Sequence, residues 1–219
     1  MGKQANIAFA DIVNKIQHIP FKQAVIELVE LSPDYITCIP SSSTGKYHPA
    51  DEINESGMVL HVGRCSAIAE EMLRMDSEDN SAEYKYYIDI LHAACVLHDI
   101  FKNGVVSTKT NNDGIKLSKS KYTAKNHPAL IYKLICEYEE KVTNEEVKER
   151  IRALAILCLF HEGRWTTEPS KQLCNKKWLT KATVYLSKMM HLVDYIASRR
   201  TMADAFQYTN KQETDKELT

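Results

Sequence analysis

Residues 92–104 read HAACVLHDIFKNG, an apolar helical run that ends on adjacent His98 and Asp99. Both side chains can bind a metal ion. Neither belongs at the inner end of a core-facing helix without a partner. Four more such residues lie along apolar stretches. His61 is followed by Cys65, Ile68 and Met72 at helical spacing, so the four share one face. His161 closes the run IRALAILCLFH over Leu154, Leu157 and Cys158. His127 opens a helix just ahead of Pro128, and Asp194 lies between Met190 and Ala197 in MMHLVDYIASRR. Burying an unpaired polar group costs roughly 2–7 kcal/mol, and an ionised carboxylate more. Neutral imidazoles and carboxylates brought together suit divalent first-row metals. The chemistry expected is that of one or two ions of Mn, Fe, Co, Ni or Zn, which act as Lewis acids and make water nucleophilic near neutral pH.

The elements that must position these residues are helical. Glycine (seven) and proline (six) are scarce, and the apolar period is that of a helix. The pattern predicts helices over 4–17, 21–31, 58–75, 82–100, 128–141, 144–160 and 180–206. Pro128 suits the first turn of its helix, and Thr143 or Asn144 suits the cap of the next, with glutamates following. GVVSTKTNNDGIKLSKS can form a small hairpin about NNDG. Irregular segments fall at 38–57, 102–127 and 162–179. The whole reads as an all-α chain with one domain over 1–206. A helical extension over 1–40 precedes a core over 58–206, and 207–219 is a flexible tail.

Composition bounds the class. With 44% hydrophobic and 26% charged residues, the 219-residue chain has the balance of a globular protein with a proper core. No apolar run is long enough to cross a bilayer, and the N-terminus lacks the apolar core of a signal peptide. A cytoplasmic protein is expected. The six cysteines form no CxxC pair and read as reduced thiols. A net charge of −1 gives no global reason to expect nucleic-acid binding. Locally, 102–125 carries six lysines against Asp113 alone, and Lys171, Lys176, Lys177 and Lys181 follow. Such basic loops can concentrate a phosphorylated ligand.

The order H…HD…D, carried by His61, the HDIFK of 98–102 and Asp194, resembles the HD-domain metal-dependent phosphohydrolase superfamily. GKYHPADEINESGMVLH also looks like the segment ahead of the first ligand in uncharacterised bacterial and phage HD proteins. The resemblance covers 61–194, and Phe101 departs from the commoner HDIGK. It implies an HD-domain helical bundle with the metal site at its centre. His61, His98, Asp99 and Asp194 would bind a first ion, and Asp99 would bridge to a second held by His127 and His161.

The activity so implied is hydrolysis of a phosphomonoester or phosphodiester, in a nucleotide above all, by metal-activated water. Asp99 would orient the water, and Lys102, one turn later, would reach a phosphate as a point charge. Arg164 would grip phosphate bidentately and Trp165 would stack on a base. Lys46 and His48 would cover the mouth of the site, and Arg64 would face it. Glu162 would support His161, and His18, His92 and His191 are structural. The alternatives are a di-iron HD-type oxygenase acting on a small polar or phosphonate substrate, and a non-catalytic nucleotide sensor. An RNA-end exonuclease is disfavoured by the neutral charge. Apolar residues such as Ile7, Phe9, Ile12 and Val25 would pack on the bundle or join a homo-oligomer.

Overall fold

The computed structural model describes residues 3–42, 47–53, 55–76, 81–102, 106–110, 116–120 and 126–199. Helices α1 (Lys3–Ala8), α2 (Ala10–Val13) and α3 (Ile19–Glu30) come first. The bundle follows with α4 (Gly57–Asp76), α5 (Ala82–Leu97), α6 (His127–Glu139), α7 (Glu145–Phe160), α8 (Glu168–Leu173) and α9 (Lys181–Ala197). The fold is an all-α bundle, as its apolar period dictates. The one sheet among the described residues is the hairpin of β1 (Val106–Thr110) and β2 (Lys116–Ser120), antiparallel with Val106 opposite Ser120. It lies where the NNDG turn chemistry predicts it. None of the described helices is long and apolar enough to cross a membrane.

The centre of the bundle is α5. From Ile88 to Ile100 every residue is buried, because α4, α7, α9 and the N-terminal helices α2 and α3 surround it. Small residues at Ala93, Ala94 and Cys95 let these neighbours approach closely. α4 packs on α5 and α9, and α7 packs on α5, α6 and α9. The sequence sets the helix starts as well. Ser81 accepts from the Tyr84 N–H, Asn144 from that of Val147, and Thr180 exchanges bonds with Thr183. Each cap satisfies an N–H group that the first turn leaves unpaired.

The predicted helix over 4–17 is interrupted at Phe9 and ends at Val13. The early end has its cause some seventy residues away. Asp89, buried on α5, accepts from the backbone N–H of Gln17 at 2.7 Å and of His18 at 3.0 Å. Those donors are drawn out of the helical ladder and fix the turn into α3. His18 then caps α3, its Nδ1 accepting from Phe21 at 3.1 Å. Phe9, Ile12 and Val25 are buried, whereas Ile7 is exposed. α5 stops at Leu97, three residues earlier than predicted, and α9 stops at Ala197. The segment 162–179 is less irregular than its composition suggests, since it holds α8 and two short 3₁₀ turns. The tail over 207–219 and most of the lysine-rich 102–125 segment lie outside the described residues.

Candidate metal centre

Five helices bring one polar residue or more to a common point. His61 lies in the second turn of α4, and His98 caps the C-terminus of α5 with Asp99 next in the chain. His127 opens α6, His161 caps α7, and Asp194 lies in the last turn of α9. His61, His98, Asp99, His127 and His161 are all buried. The structure therefore brings together all six residues that the sequence singled out as ligands.

Asp99 is the hub. Its Oδ1 lies 3.0 Å from His127 Nε2 and 3.6 Å from His161 Nε2, and those two nitrogens are 3.1 Å apart. Its Oδ2 lies 3.5 Å from His98 Nε2. Across the site, Asp194 Oδ1 is 3.2 Å from His61 Nε2 and 3.8 Å from His98 Nε2. Cys65 Sγ lies 3.6 Å from His61 Nε2. Two groups result that can each hold a metal ion, His61 with Cys65, His98 and Asp194, and Asp99 with His127 and His161. Donors about 2.1 Å from a shared ion stand about 3.0 Å apart in octahedral and about 3.4 Å apart in tetrahedral arrangements, which matches these separations.

The protonation pattern also fits a cation. His98 Nδ1 faces the carbonyl of Cys95 at 3.0 Å, and His161 Nδ1 faces that of Cys158 at 2.7 Å. Carbonyls only accept, so each Nδ1 carries the hydrogen and each Nε2 turns a lone pair into the site. His98 Nε2 and Asp99 Oδ1 are buried acceptors without a well-formed hydrogen bond. Facing acceptors of this kind are costly unless a cation lies between them. Burial lowers the His98 pKa and keeps that ring neutral, the form that ligates. Burial pushes the Asp99 carboxyl up, but the Lys102 charge above all, with the imidazoles of His98, His127 and His161 beside it, holds it well below its ordinary value. Burial is likewise outweighed at Asp194, by His61 and His98.

The expected substrate contacts fare differently. Lys102 places its Nζ 2.6 Å from Asp99 Oδ2, so its charge is directed at the hub. His48 is buried behind His61 instead of covering the mouth, its Nδ1 2.8 Å from Glu52 Oε2. Arg64 turns its fork onto Asp51 and onto Glu52 Oε1, the latter at 2.5 Å, and not towards the pocket. Lys46 lies outside the described residues. Arg164 lies over the Trp165 ring at 4.4 Å, and Trp165 is half exposed. His191 donates from Nδ1 to the His161 carbonyl at 2.9 Å. Gly163, at φ 56°, admits that ring where any Cβ would strike it.

Glu52 is the residue that sequence reasoning missed. It is fully buried, and its Oε2 lies 3.4 Å from His61 Nδ1 and accepts from Ser41 Oγ at 3.0 Å. His48, Glu52 and His61 form a third group with the donor types of a metal site. The signal was the one-turn spacing of His48 and Glu52 just ahead of His61. Gly57 matters here, because a Cβ at that position would collide with the Glu52 carbonyl. Its absence lets the Ala50–Ile53 turn rest on the start of α4.

No family model, curated protein or solved structure matches this chain.

Proposed function

We propose that this chain is an HD-type metal-dependent phosphohydrolase that cleaves a phosphate ester, most naturally of a nucleotide. The observation that carries the reading is the position of Asp99, with Oδ1 turned to His127 and His161 and Oδ2 to His98. A single carboxylate so shared suits two ions held side by side. His61, His98, Asp99 and Asp194 would hold one ion, and Asp99, His127 and His161 the other. When bound, such ions supply Lewis acidity, acidifying water and polarising a phosphoryl group.

The chain's own residues do the rest. The backbone carbonyls of Cys95 and Cys158 fix the imidazoles, so little reorganisation is needed when charge develops. The closed apolar shell of α4, α5 and α7 keeps bulk water from the buried face of the site. Lys102 neutralises Asp99 and stands one turn from it, within the reach of a lysine side chain to a phosphoryl oxygen.

The test is elemental analysis of freshly purified protein followed by a phosphate-release screen with Mn, Co, Ni and Zn. One to two ions per chain and phosphate release that is lost in Asp99→Ala are expected. Two irons with substrate-dependent oxygen uptake would overturn this reading in favour of an HD-type oxygenase. No bound metal after reconstitution would point to a sensor.

A further inference from the structure

An open cleft of about 230 Å³ runs to the candidate metal centre, lined by Glu162, Trp165, His191, Asp194, Tyr195, Ser198 and Arg199. Asp194 belongs to both the cleft and the centre, so whatever fills the cleft reaches the ligands. The cleft is smaller than most ligand sites, so a single nucleotide would fill it and overhang its open rim.

Arg199 is its most unusual feature. The guanidinium is clasped between the rings of Tyr47, at 4.5 Å, and Tyr195, at 4.4 Å. Two aromatic faces hold a cation in place without neutralising it. Its Nε is buried and has no hydrogen-bond partner, and no carboxylate among the described residues forms an ion pair with it. Most other arginines of the bundle do pair with carboxylates: Arg64 with Asp51 and Glu52, Arg150 with Asp89 and Glu146, Arg152 with Glu139. A fixed, unneutralised guanidinium beside a metal centre is a phosphate receptor.

The aromatic wall continues beyond Tyr195. Trp165 is half exposed and lies nearly parallel to Tyr195, at an interplanar angle of 13°. Arg164 covers the Trp165 ring at 4.4 Å. A base that displaces this guanidinium would stack on the freed Trp165 face. Glu162 adds an acceptor on the same rim, where a sugar hydroxyl can donate. Cation, stacking face and acceptor are the three chemistries of one nucleotide.

We infer that this cleft is a nucleoside monophosphate site, in which Arg199 holds the phosphate against the Asp194 side of the metal centre and Trp165 stacks on the base. The inference deepens the hydrolase reading and rests on it for the fate of the phosphate.

The test uses the full metal-loaded chain carrying Trp178→Phe, which leaves Trp165 as its one tryptophan. Fluorescence is recorded on addition of AMP, adenosine and inorganic phosphate before turnover, and phosphate release is measured separately on the same protein. AMP should quench Trp165. Arg199→Gln should weaken AMP at least tenfold, leave adenosine within twofold and leave the metal content unchanged, with Arg199→Lys in between. Equal AMP affinity with and without Arg199, or no quenching by AMP, overturns the site. Quenching that depends on Arg199 without phosphate release from AMP or any other ester supports the site and overturns the hydrolase reading instead.

Discussion

Glu52 Oε2 lies 3.4 Å from His61 Nδ1, on the side of the ring that faces away from Asp194. A carboxylate behind a histidine whose other nitrogen faces a metal site selects the tautomer and raises the basicity of the ligating nitrogen. Arg64 and His48 in turn hold Glu52. Two residues expected as substrate contacts thus support a candidate ligand. Glu52→Gln keeps the shape and removes the charge. Metal affinity should fall about 10- to 100-fold, the usual cost of losing such a partner, with helical content unchanged. A competition titration with a chromogenic chelator measures it, and an affinity within twofold of the parent would remove Glu52 from the centre.

Asp99 is expected to be indispensable for metal and dispensable for the fold. It follows the C-terminus of α5, and its ion-pair partner Lys102 is partly exposed, so that charge can be solvated once the carboxylate is gone. Asp99→Ala should lose bound metal and all turnover while retaining its circular dichroism. His127→Ala and His161→Ala each remove one donor from the second group. They should lower the metal count from two towards one. If neither changes the count, the centre is mononuclear.

The elements were legible because the core is periodic. α3 to α7 and α9 begin within two residues of where apolar spacing and caps put them, and the six ligand candidates were visible as polar residues along apolar stretches. What escaped was set by distant partners. The end of α2 and the turn into α3 follow from Asp89, far along the chain, taking the N–H groups of Gln17 and His18. Glu52 lies in a turn-rich segment with no period to show which way it faces. His48 and Arg64 have the types expected of substrate contacts, and type alone does not separate a residue at the mouth from one behind a ligand. Arg199 sits in the predicted α9 run but past its end, so its clasp depends on Tyr47 from another part of the chain.

Asp89 also carries a stability prediction. Its carboxylate accepts two backbone N–H groups and lies 3.7 Å from the Arg150 guanidinium, which itself lies over the Tyr86 ring at 4.6 Å. Asp89→Ala would leave Arg150 with only Glu146 and strand two backbone donors. Removing one partner of a buried ion pair typically costs about 3–5 kcal/mol. Urea denaturation should show a loss in that range, together with fraying of the segment joining α2 and α3 in hydrogen exchange. A loss below about 1 kcal/mol would mean that the junction is held by Phe9 and Phe21 packing alone.

His92 provides a pH signature independent of the metal centre. It is buried beside Ser66 Oγ, 3.0 Å from its Nδ1, and burial pushes its pKa down to about 4 against the ordinary 6.5. Lys15 opposes its protonation further, while Glu70, 3.5 Å from its Nε2, partly offsets the shift. The unfolded chain therefore takes up a proton at this histidine near pH 6.5, whereas the folded chain stays neutral there until about pH 4. Stability contributed by the neutral ring is present above about pH 6.5 and is lost as the pH falls towards 4, approaching about 3 kcal/mol at the limit. Asn at this position retains a polar atom near Ser66 and does not titrate. In the presence of chelator, unfolding free energies at pH 7.5 and 5 should therefore differ less for His92→Asn than for the parent, by about 1–2 kcal/mol. The same pH dependence in both proteins would show that His92 protonates equally in the folded and unfolded chains.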